Sequence, residues 1–237
     1  VTTTVKFLAL ALLVVLASCT HTTHEVNVQS NGRLTLIDSM ALTGGVLKVD
    51  STQITFFLPV YYAGPQADTI KLPRGIVSPT HCTTSDLSPD GLRWTRFTPK
   101  NLTLAIDTTM TLAWRVLDVP PHAYQKAFPL IVTNHSDSSI QVGHHNILRW
   151  TSREAQAPDG RWVELDEDPT ALDFCGAVLQ DIVLGPQEIC ISKVLLHTRG
   201  VETLCRLKFH HDFEDYHPAP IYSNTFRDFV DPVRLGR

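Results

Sequence analysis

The stretch Thr203-Leu204-Cys205-Arg206-Leu207-Lys208-Phe209 alternates apolar and polar side chains from Cys205 onward. A period of two is the pattern of a β-strand. Arg199-Gly200 is a turn that leads into it from the longest apolar run, Ile189 to His197. The turn-like Leu184-Gly185-Pro186-Gln187-Glu188 opens that run in turn. Further back, Pro158-Asp159-Gly160 separates Leu148–Arg153 strand residues from Arg161-Trp162-Val163-Glu164-Leu165, which predicts a hairpin. Pro129 to Val142 reads as strand, polar turn, strand.

The first half carries the same signal. Arg33–Ile37, Val46–Val49, Gln53–Leu58, Leu92–Phe97, Leu102–Ile106 and Thr111–Leu117 are short, alternating or rich in β-formers. Gly44-Gly45 and Asp90-Gly91 punctuate them. Helical periodicity is nearly absent. The expected class is all-β, built as sandwiches. Val119-Pro120-Pro121-His122 is stiff and cannot donate to a ladder, which marks it as a boundary. Two β-sandwich domains are therefore expected, over 26–118 and 122–237.

Four segments of the second half carry a resemblance. They are Val132-Thr133-Asn134-His135-Ser136, the run Asp159-Gly160-Arg161-Trp162-Val163-Glu164-Leu165, Leu184–Glu188 and Thr203–Phe209. Over about residues 127–229 the pattern resembles Ig-like β-sandwiches of bacterial envelope lipoproteins, and the small sandwich of proteinase-inhibitor-like domains. The resemblance implies an Ig-like C-terminal domain that binds or scaffolds. It implies no site residue, because fold does not fix function. Trp150 is expected to pack in the core as a sandwich strand Trp. Neither Tyr216 nor Tyr222 stands two residues before a Cys, as a tyrosine corner requires.

The N-terminus locates the chain. Phe7 to Ala17 is apolar, follows Lys6, and is too short to span a bilayer. Leu16-Ala17-Ser18-Cys19 resembles the lipobox of bacterial lipoproteins. That resemblance implies a signal peptide over 1–18 and lipidation of Cys19 with a diacylglyceryl group and an acyl chain. Two or more chains give stable anchoring. Residues 19–25 then form a lipidated tether. Thr20 is not the Asp that retains many such lipoproteins at the inner membrane. The expected place is the outer membrane, facing the periplasm, with the inner membrane or cell surface as alternatives. No other cofactor is expected.

The formal net charge of −4 argues against nucleic acid as a partner. Apart from Cys19 the cysteines are Cys82, Cys175, Cys190 and Cys205. An oxidising compartment permits a disulfide among Cys175, Cys190 and Cys205, with the pairing open; buried free thiols are the alternative.

Histidines number 11, and His210, His211 and His217 lie with carboxylates in His210-His211-Asp212-Phe213-Glu214-Asp215-Tyr216-His217. Imidazoles and carboxylates are zinc-type ligands, so this cluster is the candidate metal site. His144 or His145 could approach it from another strand. The competing reading is an exposed polar loop ahead of Pro218-Ala219-Pro220. No GxSxG, HExxH, SxxK or phosphate-binding loop occurs. Asp166-Glu167-Asp168 reads as a solvated loop. The expectation is a non-catalytic, lipid-anchored binding or scaffold protein with a protein or glycan partner. A metal-binding envelope protein and a periplasmic immunity or inhibitor lipoprotein are the alternatives.

Overall fold

The computed structural model describes residues 26–29, 34–38, 58–73, 97–114, 124–144, 146–148, 150–165, 181–210 and 219–236. Among them the chain is all-β, with one short 3-10 helix at Pro232–Leu235. The strands form a layered sandwich.

The central sheet is antiparallel. It runs β3 (Val60–Pro65), β13 (Glu188–Leu195), β7 (Gln125–Asn134), β5 (Leu102–Ile106), and β6 (Leu112–Trp114) also pairs with β7. β13 is covered on both faces, and Ile189 to Leu195 are all buried. That is why this run is the longest apolar one: neither face needs polar side chains.

One face of the central sheet meets two others. The outer sheet is ordered β11 (Trp162–Glu164), β10 (Thr151–Gln156), β14 (Val201–Phe209), β15 (Ile221–Tyr222), and β16 (Phe226–Val230) also pairs with β14. The corner sheet is β12 (Asp181–Leu184), β8 (Ile140–His144), β9 (Ile147–Leu148). Leu104, Leu130, Val132, Val194, Ile182, Cys205, Leu207 and Phe209 fill the space between. Phe97 packs on Phe209 edge-to-face at 4.7 Å between centroids. The opposite face of the central sheet carries the small sheet, β1 (Val26–Gln29), β2 (Thr35–Asp38) and β4 (Thr69–Leu72), in which β2 and β4 run parallel. Leu36, Ile70 and Leu72 there meet Tyr61, Leu112, Ile189 and Ile191.

The edges of the central sheet are closed. At β3, Leu148 N–H donates to Leu58 O at 2.9 Å and Val60 N–H to Asn146 O at 2.7 Å, so the sheet continues into the corner sheet. At β5, the side chain of Asn224 acts as a strand. Ile106 N–H donates to Asn224 Oδ1 at 2.7 Å, and Asn224 Nδ2 donates to Ile106 O at 2.9 Å. The β8–β9 hairpin requires glycine at Gly143, where a Cβ would lie 2.0 Å from Ile147 O.

Two of the motifs meet at one buried side chain. Asn134 is fully buried. Its Nδ2 donates to Ser138 O, Leu184 O and Gly185 O at 2.7, 3.1 and 2.9 Å, and its Oδ1 accepts from Ser136 N–H at 2.9 Å. One Asn thus joins the β7–β8 turn to the β12–β13 turn. The 158–160 turn forms the expected hairpin, with Glu154 to Gln156 paired to Trp162 to Glu164.

The partition into 26–118 and 122–237 is corrected by the ladders. β3, β5 and β6 from the first half pair with β13 and β7 from the second. β6 and β7, the described strands on either side of the Pro pair, are paired with each other in that sheet. Trp150 packs against the core beside Phe209 at 6.1 Å, as expected, but outside any strand, at a left-handed φ of 59°.

Cys190 is a free thiol, wholly buried on β13. Cys205 is buried on β14, in the other layer of the same core. Cys175 lies outside the described residues. Burial raises the thiol pKa of Cys190, whereas an unfolded thiol titrates near pH 9.0. Its stabilisation is therefore complete below pH 9 and is lost as pH rises above it, by about 1.4 kcal/mol per pH unit. Between pH 8 and 10, the wild type is expected to lose about 1 kcal/mol more than Cys190→Val in urea unfolding. Parallel pH profiles would contradict this.

Candidate functional site

The expected metal cluster divides. His210 is described: it is partly buried at the end of β14, and its N–H donates to Trp150 O at 2.8 Å. His211 and His217 lie outside the described residues, as do His145, Cys19, Cys82 and the tether. Among the described residues no group of three or more His, Cys, Asp or Glu side chains is placed to hold a metal ion. No helix among them is long and apolar enough to cross a membrane.

Charge concentrates instead in two buried networks and on one sheet face. The first network ties β10 and β16 to the end of β13. Asp228 Oδ2 pairs with the Arg153 guanidinium, and lies 2.8 Å from His197 Nδ1. Asp228 Oδ1 accepts the backbone N–H of His197 at 2.8 Å, and Arg153 Nη2 donates to Leu195 O at 2.8 Å. The Arg153 and Asp228 side chains are 3% and 1% exposed, so the carboxylate is held between two sheets away from water. It orients His197, and both of its oxygens are committed to cross-layer bonds.

The second network joins the small sheet to the central one. Lys193 Nζ lies 3.0 Å from Asp38 Oδ2, donates to Ala113 O at 2.8 Å, and stands 4.5 Å over the Tyr61 ring. Asp38 Oδ2 also accepts Ala113 N–H at 3.0 Å. Burial lowers the Lys193 pKa, against the opposing pull of Asp38. Burial, with the Asp38 charge second, raises that of Tyr61. The ammonium has no exposed surface, so this pair is a clasp between layers rather than a reactive site.

The solvent-facing side of the outer sheet is different. The strand period places Cys205, Leu207 and Phe209 in the core and Leu204, Arg206 and Lys208 outside. Partners on the outer side come from the register: Glu154 opposite Arg206, Glu164 opposite Glu154, Trp162 opposite Gln156, Tyr222 opposite Lys208. Arg206 lies between two rings, 3.8 Å from the Tyr222 centroid and 4.2 Å from that of Trp162. Its Nε and Nη2 both reach Glu154 Oε2 at 2.7 Å. Lys208 pairs with Glu164 at 3.1 Å and Arg227 with Glu202 at 3.9 Å. Tyr222 and Phe229 are 41% and 37% exposed. The face thus presents aromatic rings and planar ion pairs with a polar rim.

None of these face residues was among the candidate site residues read from the sequence. The signal was present in the Arg206 and Lys208 positions of the 203–209 alternation, which must point away from the core. Which rings would flank Arg206 depends on the register of three other strands.

Comparison with protein families and with curated proteins finds no match. Among solved structures, the X-ray structure of a Northeast Structural Genomics Consortium target, SoR45, aligns over 56% of this chain and 89% of its own. The identity is 11% and the TM-score 0.29.

Proposed function

We propose that this chain is a non-catalytic binding or scaffold protein of the bacterial cell envelope, held by lipid on Cys19 and facing the periplasm from the outer membrane. The Ig-like character of the sandwich belongs to the same reading. The observation that carries it is Arg206 stacked between Trp162 and Tyr222 on a solvent-facing sheet. Trp, Tyr and Arg are the residues that dominate binding energy at interfaces. Both buried charge networks pair opposite charges between layers of the sandwich, which fits a structural role for them. The lipobox at Leu16–Cys19 supplies the anchor, and the residues before Val26 supply reach.

Crosslinking the native lipoprotein in intact envelopes, with Cys19→Ala as the unanchored control, tests this. A reproducible envelope component captured by the anchored form and lost from the control is expected. Equal capture by both forms would remove the anchor from the function. Hydrolytic activity abolished by one His or Asp substitution would overturn the non-catalytic reading.

A further inference from the structure

We infer that two copies of this chain pair edge to edge through β16, antiparallel about a two-fold axis at Phe229. The surface is a strand edge, separate from the Arg206 stack, so it stands apart from the binding reading above. β16 lies at one border of the outer sheet, and among the described residues β14 is the strand it pairs with. The N–H and C=O groups of a strand alternate between its two sides. A Cβ on Gly200 would lie 2.4 Å from Val230 O, so the Val230 carbonyl faces β14. Asp228 and Phe226 follow the same side, and the N–H and C=O groups of Arg227 and Phe229 face outward. Such a row is a template for another strand. Asp231, at φ −57° and ψ 122°, extends it by one residue, and Pro232 then opens the 3-10 helix and ends it.

The side chains choose the occupant. Phe226, Asp228 and Val230 are buried, Arg227 and Phe229 are exposed, and Asp231 is half-buried. The outward series is therefore a cation, a ring and an anion at every second residue. Turned about Phe229, this series is its own complement. Phe229 meets Phe229 of the second copy, and each Arg227 meets Asp231 of the other. Directly opposed rings and opposite charges stabilise a strand pair, and like charges oppose it. Neighbouring registers lose the match. In one direction Arg227 falls opposite Phe229 and then opposite itself; in the other, Asp231 does the same. Arg227 lies 3.9 Å from Glu202, with the two side chains 67% and 52% exposed. That contact is long and wet, so the guanidinium is free to take a second carboxylate as well. The same patch serves both copies, so the contact closes on itself as a dimer. The paired strand is short, so the dimer should dissociate on dilution.

Charges on a short edge also serve to block pairing, and site-specific crosslinking separates the two roles. In the inferred pairing, opposed Cα atoms lie about 5.5 Å apart, within disulfide range. In the full chain, purified in detergent, Phe229→Cys should give a covalent dimer on mild oxidation. Arg227→Cys mixed with Asp231→Cys should crosslink, and neither should do so alone. The wild type, with its native cysteines, sets the background. By sedimentation, the wild type should pass from monomer to dimer as concentration rises. Arg227→Glu should weaken the dimer by about tenfold, because both symmetry-related pairs become repulsive. Combining Arg227→Glu with Asp231→Lys should restore it. Asp231 Oδ1 accepts the Val233 N–H at 2.9 Å, so thermal unfolding must show that the double variant is folded.

A monomer at every concentration would overturn the inference. So would a folded double variant that stays dissociated, or Arg227→Cys crosslinking to itself as readily as Phe229→Cys. Larger assemblies without a Phe229→Cys dimer would also overturn it, since they require β16 to pair with a different edge of the next copy.

Discussion

Asp228→Asn is expected to lower the unfolding free energy by about 3–5 kcal/mol, because it removes one charge of a buried pair. The amide keeps the size of the carboxylate and can still accept the His197 backbone N–H. What it cannot do is balance the Arg153 guanidinium, which is 3% exposed and cannot reach bulk water without opening the sandwich. Arg153 comes from β10, Asp228 from β16 and His197 from just past β13, so the loss is felt in both layers at once. For a chain of this size about 1 kcal/mol shifts Tm by about 2–4 °C, so a fall of roughly 10 °C should be visible by thermal unfolding. A cost under about 1 kcal/mol would mean that the pair is solvated and that the cross-layer tie lies elsewhere.

The clasp between the small and central sheets gives the second large effect. Lys193→Met alone should cost about 3–5 kcal/mol, since Asp38 is left charged and 4% exposed between two apolar layers. Adding Asp38→Leu should recover most of that, because a well-packed apolar pair replaces a buried ion pair at little net cost. The single variant should also speed amide exchange in β2 and β4 before the rest of the sandwich, as the small sheet meets the central one through this clasp and one apolar patch. Additive losses in the double variant would overturn the account. Uniform exchange across all sheets would show that the small sheet does not open separately.

Much of the architecture is legible from local pattern. The alternation at 203–209, the Pro158-Asp159-Gly160 hairpin and the doubly buried run at 189–195 all form where the residues predict. Strand formation depends on side-chain period and turn chemistry, both contained in a few neighbouring residues. The division at 119–121 was misleading for the same reason. Proline reports on its own φ and missing N–H, and says nothing about whether the strands beyond it rejoin the sheet they left.

Asn134 shows the limit from another side. Its neighbours mark it as a turn residue, yet its partners at Leu184 and Gly185 lie 50 and 51 residues away. Local sequence thus determined that this chain is all-β, where strands such as β5, β7, β13 and β14 fall, and that Arg206 and Lys208 lie on the opposite side of β14 from Cys205, Leu207 and Phe209. Only the tertiary structure decided that the halves share one sheet, that Lys193 meets Asp38 and Arg153 meets Asp228, and that Trp162 and Tyr222 close on Arg206. Register between distant strands is set by the burial of whole faces against one another, a sum over many residues that no short stretch contains.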